Sequence, residues 1–124
     1  DRYASRGLGD VYKRQDLTGA FLPGSIHVDT NYKDAILDKT VFSGAEVNGT
    51  DFTNTSFKDA DIRFVNQAIS REIAMGDFEP ANFTGSDLTD SRFRASIFRD
   101  SIFTGVDFSD LGDVTATDFS MIVI

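Results

Sequence analysis

Between Gly76 and Asp110 the chain repeats every five residues: GDFEP ANFTG SDLTD SRFRA SIFRD SIFTG VDFSD. Phe78, Phe83, Leu88, Phe93, Phe98, Phe103 and Phe108 take the third place of each block, while Gly76, Ala81, Ser86, Ser91, Ser96, Ser101 and Val106 take the first. A period of five is neither the alternation of a strand nor the 3.6 of a helix, and so short a fixed period predicts a solenoid. The same ruler fits an earlier stretch. Third places there are Leu17, Leu22, His27, Tyr32, Leu37, Phe42, Val47, Phe52, Phe57 and Ile62, and first places from Ala20 to Ala60 hold only Ala, Ser or Thr. Fifth places are rich in Gly, Asp and Asn, which tolerate tight bends or bond their own backbone.

These columns describe a polygon. If each block makes one short side and one corner, the large third residue and the small first residue both point inward. Four sides close a coil of about twenty residues, and coils stack at the strand spacing of about 4.8 Å. Residues 16–110 then make about four to five coils of an all-β tube. The predicted interior is Leu37, Phe42, Phe52, Phe57, Ile62, Phe78, Phe83, Leu88, Phe93, Phe98, Phe103 and Phe108. With twenty residues per coil, Phe78 sits below Phe98 and Phe83 below Phe103, an aromatic ladder along the bore. Inward hydroxyls such as Thr50, Thr55, Ser86, Ser91 and Ser96 are expected to bond carbonyls of neighbouring coils, because buried hydroxyls need partners.

Two slips interrupt the count. From Ile62 to Phe78 the spacing is one residue more than three blocks, and the segment 63–76 is poorly patterned; a bulge, a loop or a helical turn could hold the extra residue. A second slip falls near 109–113, after which Val114, Phe119 and Ile124 resume the beat. The chain closes on Met121-Ile-Val-Ile124, an apolar end that reads as a cap, a cut or a partner surface, since a stacked tube needs its ends covered.

Residues 1–15 stand apart. The stretch Ser5–Gln15, SRGLGDVYKRQ, looks like a translated sequencing-library adapter, and the small-residue column fails at Gln15. The tube is accordingly placed at 16–124, with the native start missing and the adapter segment disordered. Removing 1–15 takes away four basic and two acidic residues, so 8 basic face 18 acidic residues and the net charge moves from -8 to -10. That charge disfavours direct nucleic-acid binding, whose phosphates need cations, and keeps a rod soluble. With no cysteine there is no disulfide or thiolate site. No apolar run is long enough to span a bilayer. With the native start missing, a secretion signal could have been lost with it, so the location is left unknown, cytoplasmic only by default.

ANFTG at Ala81, SDLTD at Ser86, TDFTN at Thr50 and ADIRF at Ala60 match the pattern A(D/N)LXX, and the chain resembles the pentapeptide-repeat family. The resemblance implies a right-handed quadrilateral β-helix and a non-enzymatic scaffold or protein-interaction module without cofactors. It also implies an alternative, because some members are acidic rods that imitate duplex DNA on gyrase, a type II topoisomerase, and confer quinolone resistance. On that alternative Asp51, Asp61, Asp77, Asp87 and Asp107, with Asp59, Asp90 and Asp100, present spaced outward charge. The insert between Arg63 and Met75, with Arg71, resembles the loops by which such proteins engage the enzyme, and the rods pair into dimers, here end to end.

Catalysis has little to stand on. The single histidine, His27, falls at an inward place without an evident reachable partner. Asp107, Asp110 and Asp113 recur every three residues, but lack the spacing and closing Glu of a calcium loop and read as solvated corner residues. Fourth places mix Thr with Lys33, Lys58, Arg94 and Arg99, so no flat threonine row exists for binding ice.

Overall fold

The computed structural model describes residues 11–66 and 80–124. Its architecture is set by parallel bridges between second-place residues, twenty positions apart except where an interruption lengthens the count. Side 1 carries the column Val11, Asn31, Asp51, Asn82, Ile102, Val123. Side 2 carries Asp16, Ile36, Ser56, Asp87, and side 3 carries Phe21, Val41, Asp61, Arg92. Side 4 has Ile26 paired with Glu46 and, higher up, Ile97 paired with Asp118.

Where the second place is Asp or Asn, the five-residue unit finds an acceptor for every amide, the accounting a backbone wrapped round an apolar bore must satisfy. In the pentad 50–54, Thr50 N donates to Val47 O across the preceding corner (3.1 Å), and Asp51 N donates to Thr30 O in the coil below (2.9 Å). Phe52 N and Asn54 N donate to Asn82 O and Thr84 O in the coil above, at 2.7 and 2.8 Å. The remaining amide, Thr53 N, donates to the Asp51 carboxylate two residues back, at 2.9 Å. The second-place Asp or Asn is therefore a backbone cap, and the same Asx bond recurs at Asn31, Asn82, Asp87 and Asp113.

Corners are made by the fifth residue in the left-handed region. From Arg14 to Phe64, and again from Gly85 to Gly105, each fifth place has positive φ, and the column includes Lys39 (59°), Phe64 (58°) and Ala95 (56°) as well as the glycines. Such a conformation costs an L-residue about 1–2 kcal/mol, and ladder bonds on both sides of the corner impose it.

Third-place side chains fill the bore. Leu37, Phe42, Phe52, Phe57, Ile62, Phe83, Leu88, Phe93, Phe98 and Phe103 are buried, Phe108 is half-buried, and Phe78 lies outside the described residues. On side 1 the rings form one continuous stack: Tyr12 on Tyr32 (5.0 Å), Tyr32 on Phe52 (5.4 Å), Phe52 on Phe83 (4.9 Å) and Phe83 on Phe103 (4.9 Å, 4° between planes). These separations follow from the coil spacing, which brings stacked rings to about the distance aromatic pairs prefer. Rings from other sides meet the stack edge-on, as Phe57 meets Phe52 at 5.0 Å. Small first-place hydroxyls close the gaps. Thr55 and Ser86 donate to Tyr32 O and Phe52 O in the coil below (2.9 and 2.6 Å), Thr50 and Ser96 do likewise to His27 O and Ile62 O, and Ser91 turns to Leu88 O in its own coil (2.7 Å).

Three features differ from the sequence expectation. The tube takes in residues 11–15, expected outside it: Tyr12 N bonds Asn31 O at 2.7 Å and the Tyr12 ring extends the stack, so an exposed Gln15 at the small-residue place does not end the tube. Residues 1–10 lie outside the described residues. The first slip is eleven residues, not one, because Asp51 pairs with Asn82 and Asp61 with Arg92, each 31 positions on. Residues 67–79 of that interruption are outside the described residues. At the second slip a 3-10 turn, Phe108–Asp110, capped by the Asp107 carboxylate, precedes a register of 21, seen in Ile97 with Asp118 and Ile102 with Val123.

Candidate interaction surface

With the walls saturated and the bore filled, chemistry is left to the outward second, fourth and fifth places. The acidic residues singled out from the sequence do not form one patch. Asp51 is half-buried on side 1 and caps Thr53. Asp87 and Asp107 are exposed neighbours on side 2, where with Asp110, Ser86, Leu88, Thr89 and Gly105 they line a groove of about 210 Å3. Thr89 donates to Asp87 from its hydroxyl (2.6 Å) and amide (3.1 Å), and Ser109 does the same for Asp107 (2.6 and 2.9 Å). Those hydroxyl bonds, followed by the amide bonds, hold both carboxyls below the ordinary value, so both are ionised at neutral pH. Lys58 adds a contact to Asp87 at 3.7 Å. Asp77 and Arg71 lie outside the described residues.

Asp61 is not the solvated charge expected of it. It is buried on side 3 because Arg63, two residues on, folds back as a fork, with Nε at 2.8 Å and Nη2 at 2.7 Å, and Arg92 from the next coil reaches it at 3.8 Å. Burial alone would raise its pKa; the hydrogen bonds and charges of Arg63, with Arg92, outweigh that and lower it. Sequence reasoning missed this arginine side. Arg92 stands 31 residues from Asp61, and only the true size of the insert brings them together.

The other candidates are structural. His27 is sealed in the bore, with Nε2 at 2.6 Å from Ser25 Oγ and Nδ1 at 2.9 Å from Tyr32 Oη. Ser25 Oγ donates to Leu22 O at 2.6 Å, so it accepts from Nε2–H, while Nδ1 faces Tyr32 Oη. Both ring nitrogens are occupied and there is no room for a substrate, since Phe42 and Tyr32 pack against the ring. Among the described residues no group of three or more acidic or histidine side chains is arranged to hold a metal. Asp107 and Asp113 instead cap Ser109 and Thr115. Among the described residues no helix is long and apolar enough to cross a membrane.

A tube of five-residue sides with an aromatic bore and Asx-capped corners defines a repeat protein. The sequence model of the Pentapeptide repeats family matches eight copies over residues 34–66 and 77–110, and the chain belongs to that family. Its fold is a right-handed β-helix, like that of the similar pentapeptide repeat protein from the Arabidopsis thaliana thylakoid lumen (20% identity, TM-score 0.63, covering 89% of this chain and 61% of that one). Lower structural similarity is found to the pentapeptide repeat protein Rfr23 of the cyanobacterium Cyanothece 51142 (20% identity, TM-score 0.41, 91% of this chain and 58% of that one). A trypsin-treated form of QnrB1, a plasmid-mediated fluoroquinolone resistance protein, matches at 14% identity and TM-score 0.42, over 93% of this chain and 86% of that one. The chain thus spans about three fifths of the length of the first two. No curated protein matches the sequence.

Proposed function

We propose that this chain is a non-enzymatic scaffold of about five coils that binds a protein partner through its side walls, with side 2 receiving a basic surface. One observation carries this reading: Asp87 and Asp107 sit one above the other beside Asp110 in an open groove, and hydroxyl and amide bonds keep the first two ionised. Pre-oriented carboxylates repeated at coil spacing suit lysine and arginine side chains, and such attraction is screened by salt. The test is binding to a basic protein surface at two ionic strengths. Replacing Asp87 and Asp107 by Asn is expected to weaken binding about tenfold at low salt, with much less effect at about 0.5 M salt. Equal binding by both forms at low salt would remove side 2 from the interface.

A second reading uses the same carboxylates as a phosphate-like row, with a type II topoisomerase as partner. Asp16, Asp59, Asp87, Asp90, Asp107 and Asp110 all stand exposed on side 2, which favours it. Inhibition or protection in a gyrase supercoiling assay at micromolar protein would support it, and its absence would discard it.

A further inference from the structure

Asn66 is the one described non-glycine residue with positive φ (65°) before the second slip that does not stand at a fifth place. It is a second-place residue. Its amide donates to Ala45 O at 2.8 Å, the regular bond of a second place to the coil below. Its side chain, however, does not point outward; it is buried and spans the wall. Val47 N donates to Asn66 Oδ1 at 2.8 Å, and Asn66 Nδ2 donates to Ile97 O at 2.9 Å.

On the regular sides away from the second slip these two groups have backbone partners. A third-place amide such as Phe42 N bonds the second-place carbonyl nineteen residues on, Asp61 O (2.8 Å), and a second-place carbonyl such as Arg92 O receives a third-place amide from the coil below, Ile62 N (2.7 Å). By that rule Val47 N should meet the backbone carbonyl of residue 66, and Ile97 O should meet the amide of the third-place residue after it. The carboxamide supplies an acceptor and a donor at those two positions, in the place of a peptide group.

The sequence agrees with the geometry. Taking out Gln67–Asp77, eleven residues, joins Val65-Asn66 to Phe78-Glu79-Pro80, and VNFEP followed by ANFTG restores the beat with Phe78 at a third place. Eleven is also the excess in the Asp51 to Asn82 register over the regular twenty. At the level of the joint an apolar cavity of about 10 Å3 is lined by Val47, Val65, Phe42, Phe52, Phe57, Ile62, Phe83 and Phe98, all inward residues of the surrounding sides.

We infer that residues 67–77 are spliced into a single pentapeptide and that the Asn66 carboxamide completes the wall where that pentapeptide is split, so the tube stands without the spliced segment. The consequence is a cassette position at which the chain tolerates exchange of sequence while the coils on either side stay joined.

A two-by-two set of variants tests this: the full chain and a form lacking 67–77, each with and without the substitution Asn66→Ala. In the full chain Asn66→Ala leaves Val47 N–H and Ile97 O without partners, and the melting temperature should fall by about 5–10 °C. The deletion should melt cooperatively, no lower than the parent. In the deletion background the same substitution should cost less than about 2 °C, because backbone groups again pair across the wall and residue 66 becomes an ordinary outward second place. Hydrogen exchange in the full-length variant should speed up at Val47 by about a hundredfold while leaving Phe42 unchanged. An unfolded deletion, an equal Asn66→Ala effect in both backgrounds, or an unchanged Val47 exchange rate would each overturn the inference.

Discussion

Phe98 and Phe108 occupy the same place in their pentads, yet Phe98 is fully enclosed and Phe108 is half-buried beside Phe103 and Phe119. The residues are chemically identical, but Phe98 precedes a left-handed corner at Asp100 (φ 61°), whereas Phe108 opens the 3-10 turn of the second slip. Their surroundings differ with it. Phe98 is enclosed by Phe83, Phe93 and Phe103 and has a further coil above it, where Phe98 N bonds Asp118 O (2.9 Å), whereas Phe108 belongs to the last, slipped coil, which ends on exposed Met121 and Ile124. Burial in such a tube is therefore a property of neighbouring rungs, and stability is a sum of rung-to-rung terms that weakens toward an open end.

That comparison breaks if the two positions respond alike. Phe98→Ala should cost about 3–5 kcal/mol, since it removes a fully packed ring beside a wall that cannot collapse. Phe108→Ala should cost about 1 kcal/mol, in proportion to the smaller area it takes from water. Denaturant titration of both variants checks the ratio. Next in size is Gly112→Ala. A Cβ there would lie 2.9 Å from Ser91 O, a backbone atom, just where Gly112 N bonds that same carbonyl at 2.8 Å. The expected cost is about 1–3 kcal/mol, confined to the last coil, so exchange should quicken at Asp118 and Val123 while Phe83 stays protected.

Acid sharpens the contrast between walls and bore. Asp87, Asp107 and Asp113 have folded pKa values below the ordinary 3.8, mainly through hydroxyl bonds from Thr89, Ser109 and Thr115. A carboxyl with a depressed folded pKa contributes stability that is present above its unfolded value and lost as pH falls through the folded one. Melting temperature should thus hold steady from neutral pH down to about 4 and decline below it. Asp87→Asn, which keeps the Asx acceptor but not the charge, should flatten part of that decline. The smallest effect is at the corners, where Lys39→Gly relieves a left-handed lysine and should change stability by no more than about 1 kcal/mol, read as a small rise in denaturant midpoint.

Much of this was legible in the sequence because the period acts on side-chain volume. Large third places and small first places declare the bore, and the Phe83 over Phe103 stack follows from the twenty-residue coil alone. The size of the insert was hidden by arithmetic: one extra residue and eleven leave the same phase in a count of five. Only pairings across the interruption, such as Asp51 with Asn82 and Asp61 with Arg92, separate them, and the burial of Asp61 and its arginines were hidden with it. Acidity was legible as a number but not as a cause. Second-place Asp residues are in part structural, because the fourth amide of the pentad has no rung of its own and takes their carboxylate. The inclusion of residues 11–15 was obscured by Gln15, whose long side chain stands exposed where small residues otherwise line the wall.

The central claim is that each wall amide is assigned by its place in a five-residue unit, and residue-by-residue hydrogen exchange on the native chain tests it most directly. Third-place and fifth-place amides such as Phe52, Asn54, Phe83 and Gly85 should be slow, and fourth-place amides should divide by what stands two residues earlier. Thr53 and Thr84, behind Asp51 and Asn82, should be protected; Ser43 and Thr104, behind Val41 and Ile102, should exchange fast. Protection that repeats with a period of two or 3.6, or that ignores the second-place residue, would contradict the account.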